Sequence, residues 1–282
     1  IASYPKSGNT WLRALISSYY YSNDGVFNQS LLKKIDQFPT KRYFNGFDYN
    51  KKIVTDTCKF WIKAQEKINA NIKELKFFKT HNAFGKLNNH DFTNNQNSIG
   101  CLYIVRDPRN VFTSLKNHYQ LNDDQAIKWM TNDKNFIYYI QKFEENGYSD
   151  FQFISSWNVH YQSWKIQKKI PIKFIKYEDL QNQTYYVFKE VIKFINEITN
   201  NKEKVNIDKI KNVLKTTTFD KLKQSEIDHG FSESVSYRED KDKKILIRNL
   251  GPKNNWKQII SDDLKIKLET IFEKDLKELS YL

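Results

Sequence analysis

The chain has 282 residues, 39% of them hydrophobic and 15% aromatic, enough apolar material for a large folded interior and too much for a disordered chain. Lys and Arg number 46 against 33 Asp and Glu, and the net charge of +13 favours anionic ligands without choosing among nucleotide, nucleic acid, sulfated glycan and membrane surface. No run of about 18 apolar residues occurs, which excludes a membrane span within these residues, while Cys58 and Cys101 form neither a CxxC metal site nor a disulfide framework and read as reduced, intracellular thiols.

Taken in chain order, Ile1–Tyr4 is apolar on both faces and ends abruptly in polar residues, the mark of a buried parallel strand. The sequence opens inside this strand without an initiator Met, so a truncated N-terminus is expected. Pro5-Lys6-Ser7-Gly8-Asn9-Thr10 follows, and Thr10–Tyr21 then carries Trp11, Leu12, Leu15 and Ile16 at helical spacing. A Gly between strand and helix lets backbone N–H groups and the helix N-terminus face an anion, so this segment reads as a phosphate loop. It is not a Walker A sequence, because Lys6 precedes Ser7 and Gly8 and the cation stands at the start of the loop. An ordinary strand-to-helix turn with Lys6 in solvent stays open on these residues alone.

A second strand is expected at Leu75–Lys79, leading into Thr80-His81. A third, Cys101–Val105, leads into Arg106-Asp107-Pro108-Arg109 and a helix over Asn110–Tyr119; a fourth, Ile172–Lys176, leads into Tyr177-Glu178-Asp179. Strand and helix alternate, and no repeat or Pro- or Ser-rich linker divides them. The expectation is an α/β fold, one domain over residues 1–282 with a central parallel β-sheet flanked by helices. Such sheets bind ligands beyond the carboxyl ends of their strands, where all four polar clusters fall.

These clusters carry a specific resemblance. Tyr4-Pro5-Lys6-Ser7-Gly8-Asn9-Thr10-Trp11 resembles the 5′-phosphosulfate loop YPKSGTTW of the sulfotransferases that use 3′-phosphoadenosine 5′-phosphosulfate (PAPS), departing only at Asn9. Lys79-Thr80-His81 resembles that family's KTH strand end, and Arg106 through Ser114 its 3′-phosphate motif. Tyr177-Glu178-Asp179 is similar to its YED segment, Thr217-Thr218-Phe219 to its TSF segment, and Arg248–Trp256 to its C-terminal nucleotide-clamping loop. The last departs from the pattern by one inserted residue, by Asn249 in place of Lys, and by Asn254 or Asn255 in place of the second Gly. The family's short dimerisation signature is not recognisable after Trp256, so oligomeric state has no signal.

The resemblance implies a P-loop-like sulfotransferase fold of the cytosolic type, cytoplasmic and metal-free, with PAPS as co-substrate and adenosine 3′,5′-bisphosphate (PAP) as product. It implies a nucleotide site of Lys6, Ser7, Gly8, Asn9, Thr10 and Trp11 about the 5′ end. Arg106 and Ser114 would take the 3′-phosphate, with Arg248, Asn249 and Gly251 in the clamp. Adenine needs an aromatic platform, for which Trp11 and Phe219, with Tyr177 and Thr217 beside them, are the candidates; core packing is the alternative for each.

Sulfuryl transfer is an in-line displacement in which charge grows on the leaving phosphate oxygen while the acceptor loses a proton, much as in phosphoryl transfer. The site therefore needs a cation and a base. Lys6 is the natural cation, His81 the natural base, and period-2 alternation sets Lys79 on the same side as His81. The resemblance gives Lys79 the orienting of the transferred group and has Ser114 hydrogen-bonded to Lys6 in the resting site. The acceptor is expected to be a small alcohol, phenol or amine, with a glycan open and no nucleic acid. Its walls are expected from residues 23–60 and 227–245, with Tyr19, Tyr20, Tyr21, Phe44, Phe47 and Tyr237 as either lining or core. Two other classes compete: a kinase-like phosphate-loop protein, for which the Walker Lys and Mg²⁺ carboxylate are not evident, and a basic protein binding polyanionic glycan or nucleic acid.

Overall fold

The computed structural model of the chain describes residues 1–231, 233, 235–236, 244–246 and 250–282. Its strands, in order, include β1 (Asp36–Gln37), β2 (Phe78–Lys79), β3 (Cys101–Val105), β4 (Phe136–Ile137), β5 (Gln152–Phe153) and β6 (Ile172–Lys176). Ala2 is the keystone of the parallel layer, bridging Thr80 on one side and Tyr103 on the other. Around it β1 pairs with β2, Asp36 opposite Phe78, and β3 pairs with β6 from Cys101↔Ile172 to Val105↔Lys176, all parallel. The spatial order is therefore β1, β2, the Ala2 strand, β3, β6. All four expected strand regions enter this layer.

β3 shows why an unbroken apolar run was needed. Cys101, Tyr103 and Val105 join a core cluster with Trp157, Tyr161 and Trp164, while Leu102 and Ile104 join a second one with Leu12, Leu15, Ile16 and Phe188. Alternate side chains leave opposite faces of the strand, so both faces are dry. Each fully buried Leu, Ile or Phe contributes about 1.5–3 kcal/mol relative to exposure. β6 departs from the expectation: only Ile175 is fully buried, because among the described strands β6 has a neighbour on one side alone. The second expected strand is shorter too, paired over Phe78–Lys79 with β1.

The helices that matter for the site are α1 (Asn9–Tyr21), α2 (Pro108–Tyr119), α3 (Asp123–Thr131), α4 (Thr184–Ile198), α5 (Ile207–Thr216) and α6 (Phe219–His229). α2 begins two residues earlier than its periodicity suggests. Pro108 takes the first helical position, where its missing N–H costs nothing, and the Asp107 carboxylate caps the turn by accepting from the Arg109 N–H at 2.9 Å. α1 packs on α5, its Leu12, Leu15 and Ile16 sharing one core cluster with Ile210 and Val213 of α5 and Val191, Ile192 and Ile195 of α4. Among the described residues no helix is long and apolar enough to cross a membrane.

Candidate active site

The loop that ends the Ala2 strand folds back sharply before α1. Lys6 and Gly8 both have positive φ, 68° and 102°. At Gly8 a side chain is excluded twice over, by φ and because a Cβ would lie 2.5 Å from Cδ2 of Tyr177. α1 starts with no side-chain cap and no acidic residue in its first turn, so its positive end is left for an anion.

A cavity of about 920 Å³ opens over this loop, at the carboxyl ends of the parallel strands. Lys6, Lys79, His81, Arg106 and Ser114 all line it, as do Gly8, Asn9, Thr10, Trp11, Tyr177, Phe219 and Gly251. Two of the expected nucleotide residues do not. Ser7 is wholly buried beneath the loop with its hydroxyl unpartnered. Thr217 is buried with its hydroxyl donated to the Val213 carbonyl at 2.7 Å, a helix-end bond that turns it away from the cavity; its own carbonyl accepts from Trp11 Nε1 at 3.1 Å. Arg248 and Asn249 lie outside the described residues.

His81 is held on three sides. Its Nδ1 lies 2.8 Å from the Ser3 carbonyl, and because a carbonyl only accepts, Nδ1 carries the proton and the Nε2 lone pair is left available. Its backbone N–H donates to Gln152 Oε1 at 2.7 Å, and its carbonyl accepts from His160 Nε2 at 3.0 Å. Burial, then the Lys79 charge, lowers the His81 pKa to about 4, so the ring is neutral at pH 7. Lys6 and Lys79 are each lowered to about 8, chiefly by desolvation. Both stay mostly charged at neutral pH.

Arg106 lays its guanidinium 4.0 Å over the Tyr177 ring and donates from Nη1 to the Lys6 carbonyl at 3.3 Å, while its buried Nε has no partner among the described residues. Trp11 meets Tyr177 edge-on at 5.7 Å. Gly251, at φ 53°, sits so close to Phe219 that a Cβ would fall 2.1 Å from the ring. Ser114 faces the same cavity as Lys6, but the hydrogen bond expected between them is not formed, which corrects that expectation; Lys6 is instead ringed by charge from Glu226, Arg106 and Glu233.

The far wall differs from the expected one. Among the described residues it comes from Phe136, Ile137, Tyr138, Tyr139 and Ile140, the segment of the β4–β5 ribbon; residues 23–60 supply Gln37, and of residues 227–245, many of which lie outside the described residues, Glu233 lines the cavity. Tyr19 and Tyr20 pack on Phe188 and Phe77, Tyr21 on Phe77, Phe44 is in the core and Phe47 stacks on Phe60 at 4.9 Å, so all five serve packing. Tyr237 lies outside the described residues. Sequence reasoning also missed Ser3, Gln152, His118 and Glu233. Only Ser3, three residues before Lys6 on the same strand, had a positional signal. Among the described residues no group of three or more His, Cys, Asp or Glu is gathered to hold a metal.

Comparisons with known proteins bear on the family and the fold. A family model described as a sulfotransferase domain matches residues 1–280. Luciferin sulfotransferase of Photinus pyralis is 22% identical over all of this chain and 72% of its own length, and flavonol 3-sulfotransferase of Flaveria bidentis is 23% identical over 98% and 80%. Among solved structures, mouse sulfotransferase SULT7A1 complexed with PAP superposes with a TM-score of 0.57 at 18% identity, covering 98% of this chain and 82% of that one. Retinol dehydratase with androsterone and PAP superposes at 0.56 with 15% identity, over 98% and 79%.

Proposed function

The chain belongs to the sulfotransferase family, and we propose that it transfers the sulfuryl group of PAPS to a hydroxyl or amine of a small molecule by in-line displacement. The observation that carries this reading is the convergence of Lys6, Lys79 and His81 with Arg106 and Ser114 on one cavity at the strand ends. In this reading His81 accepts the acceptor's proton at Nε2, its tautomer fixed by Ser3. Lys6 follows charge onto the leaving phosphate oxygen, and Lys79 steadies the transferred group. The 5′-phosphate rests on the loop at Gly8–Thr10 and the α1 N-terminus. Arg106 and Ser114 take the 3′-phosphate, Arg106 through a donor that has no partner among the described residues.

The aromatic ring pairing of Trp11 with Tyr177, and Phe219 beneath Gly251, supports an adenine platform. For the acceptor, the apolar wall at Phe136–Ile140 supports a small molecule with an aromatic or aliphatic body, in line with relatives named for luciferin and flavonol. The test has two parts. PAP should bind at moderate salt by calorimetry, and PAPS with a pool of phenols, alcohols, amines and oligosaccharides should give a product heavier by one sulfuryl group. Failure of PAP to bind, or binding lost steeply with salt in the manner of a polyanion-binding surface, overturns the assignment.

A further inference from the structure

Glu233 lies amid the proposed catalytic groups without belonging to any motif. Its Oε2 is 2.5 Å from Lys79 Nζ and its Oε1 2.7 Å from Arg13 Nη1. Arg13 is itself fixed, since Nη2 donates to the carbonyls of Leu32 at 3.3 Å and Ile35 at 3.4 Å. A chain of contacts therefore runs from the main chain at residues 32–35 through Arg13 and Glu233 to the ammonium of Lys79. We propose that Glu233 is a positioning residue for the reaction, holding Lys79 in the cavity beside Lys6 and His81.

The inference rests on the role given to Lys79 above. Two observations separate this pair from an incidental surface contact. Lys79 and Arg13 are only 5% and 4% exposed, so neither cation has water as an alternative partner. A lysine side chain is also long and rotatable, and one ion pair at its tip selects the orientation of the whole. The surroundings make the carboxylate matter further. Facing it are Lys79 from β2, Arg13 from α1, Lys6 from the loop, His81 from the strand end, His118 from α2 and Tyr139 from the far wall. Without Glu233, Lys79 shares a desolvated pocket with Arg13 and loses the ion pair that it makes among the described residues.

Burial has already lowered Lys79 to about 8, with Glu233 holding it up. Removing the carboxylate lowers it again, so the ammonium gives up its proton at a lower pH. In Glu233→Gln, the rate of PAP formation from PAPS with the acceptor pool should fall at least tenfold at pH 7.5. Its alkaline limb should move to lower pH, and the Kd for PAP should stay within about threefold. Arg13→Gln, which frees Glu233 from its anchor, should give the same shift in smaller measure and serves if the first variant folds poorly. An unmoved alkaline limb with kcat retained overturns the proposal, as does a lowered Tm with no change in pH profile. Tighter PAP binding at unchanged kcat overturns it too, marking Glu233 as an anion that competes with the donor. Lys79→Ala is the control. If that variant keeps full turnover, the assignment of Lys79 has failed; if it is impaired and Glu233→Gln is not, this inference alone has failed.

Discussion

Replacing His81 by Ala isolates the proton-accepting step from nucleotide binding. With a pKa near 4, the imidazole is neutral in all but about one molecule in a thousand at pH 7, so essentially the whole population has a base to lose. General-base catalysis contributes roughly 10²–10⁴-fold, which at about 1.36 kcal/mol per decade is about 2.7–5.4 kcal/mol of transition-state stabilisation. The structural cost is smaller: the Nδ1 contacts to the Ser3 carbonyl at 2.8 Å and, more weakly, to its hydroxyl at 3.3 Å are lost, together about 1–2 kcal/mol. Single-turnover rates with saturating PAPS should therefore drop by two to four orders of magnitude. The Kd for PAP by calorimetry should hold within about threefold. The wild-type rate should also fall on acidification as the imidazole charges, and this limb should be missing in the variant. A rate within threefold of wild type, or a Kd that rises in step with the rate loss, refutes His81 as the base.

Arg106→Ala should weaken PAP by about 10- to 150-fold, the equivalent of one charge-assisted hydrogen bond at about 1.5–3 kcal/mol, and Ser114→Ala should weaken it less; calorimetry showing both unchanged removes them from the 3′-phosphate. Gly8→Ala adds a Cβ 2.5 Å from Tyr177 at φ 102° and should lower both Tm and PAP affinity; a variant with wild-type values for both means the loop tolerates a side chain. His81, His160 and His118 are held at about 4, about 3 and about 2 by burial. Their unfolded counterparts titrate near 6.5, so between those values the unfolded chain binds more protons and stability rises with pH. Tm should fall as pH is lowered from 7.5 through 6.5 to 5, and a flat or rising Tm over that range contradicts the burial of the imidazoles.

The parallel layer was legible because its strands are short apolar runs with polar ends, and the phosphate loop because Gly8 and Lys6 sit where a strand gives way to a helix. Lys6, Lys79, His81 and Arg106 were legible for the same reason, each standing at or just past a strand end, where topology converts distance in sequence into proximity; Ser114, in the middle of α2, was legible through its spacing from Arg106 in the resembled motif. Side chains without that address were not found. Phe136–Ile140 reach the cavity through a two-residue antiparallel pairing of β4 with β5, and so short a pairing leaves no periodicity to read. Tyr19–Tyr21 carried the opposite hazard, an aromatic run whose apolar surface is spent on Phe77 and Phe188. Thr217 shows that a matching motif residue can serve through its carbonyl rather than its side chain.

Ser3 joins these parts into one device. Its carbonyl fixes the tautomer of His81, its hydroxyl accepts from Asn9 Nδ2 at 3.2 Å, and Lys6 follows three residues later on the same strand end. The strand is in turn locked on both sides: Ala2 donates to Leu102 at 2.8 Å, Ser3 donates to Thr80 at 3.3 Å, and Ile104 donates to Ala2 at 3.0 Å. The proposed cation and base are thus tied to a common backbone segment rather than to two independent loops. In the proposed reaction one group meets the leaving oxygen and the other the attacking one, and a shared backbone anchor limits how far the two can drift apart. Asn9, the single departure from the resembled loop, lies on this same linkage: its amide adds a hydrogen bond from the start of α1 to the Ser3 hydroxyl, beside the Ser3 carbonyl that meets His81.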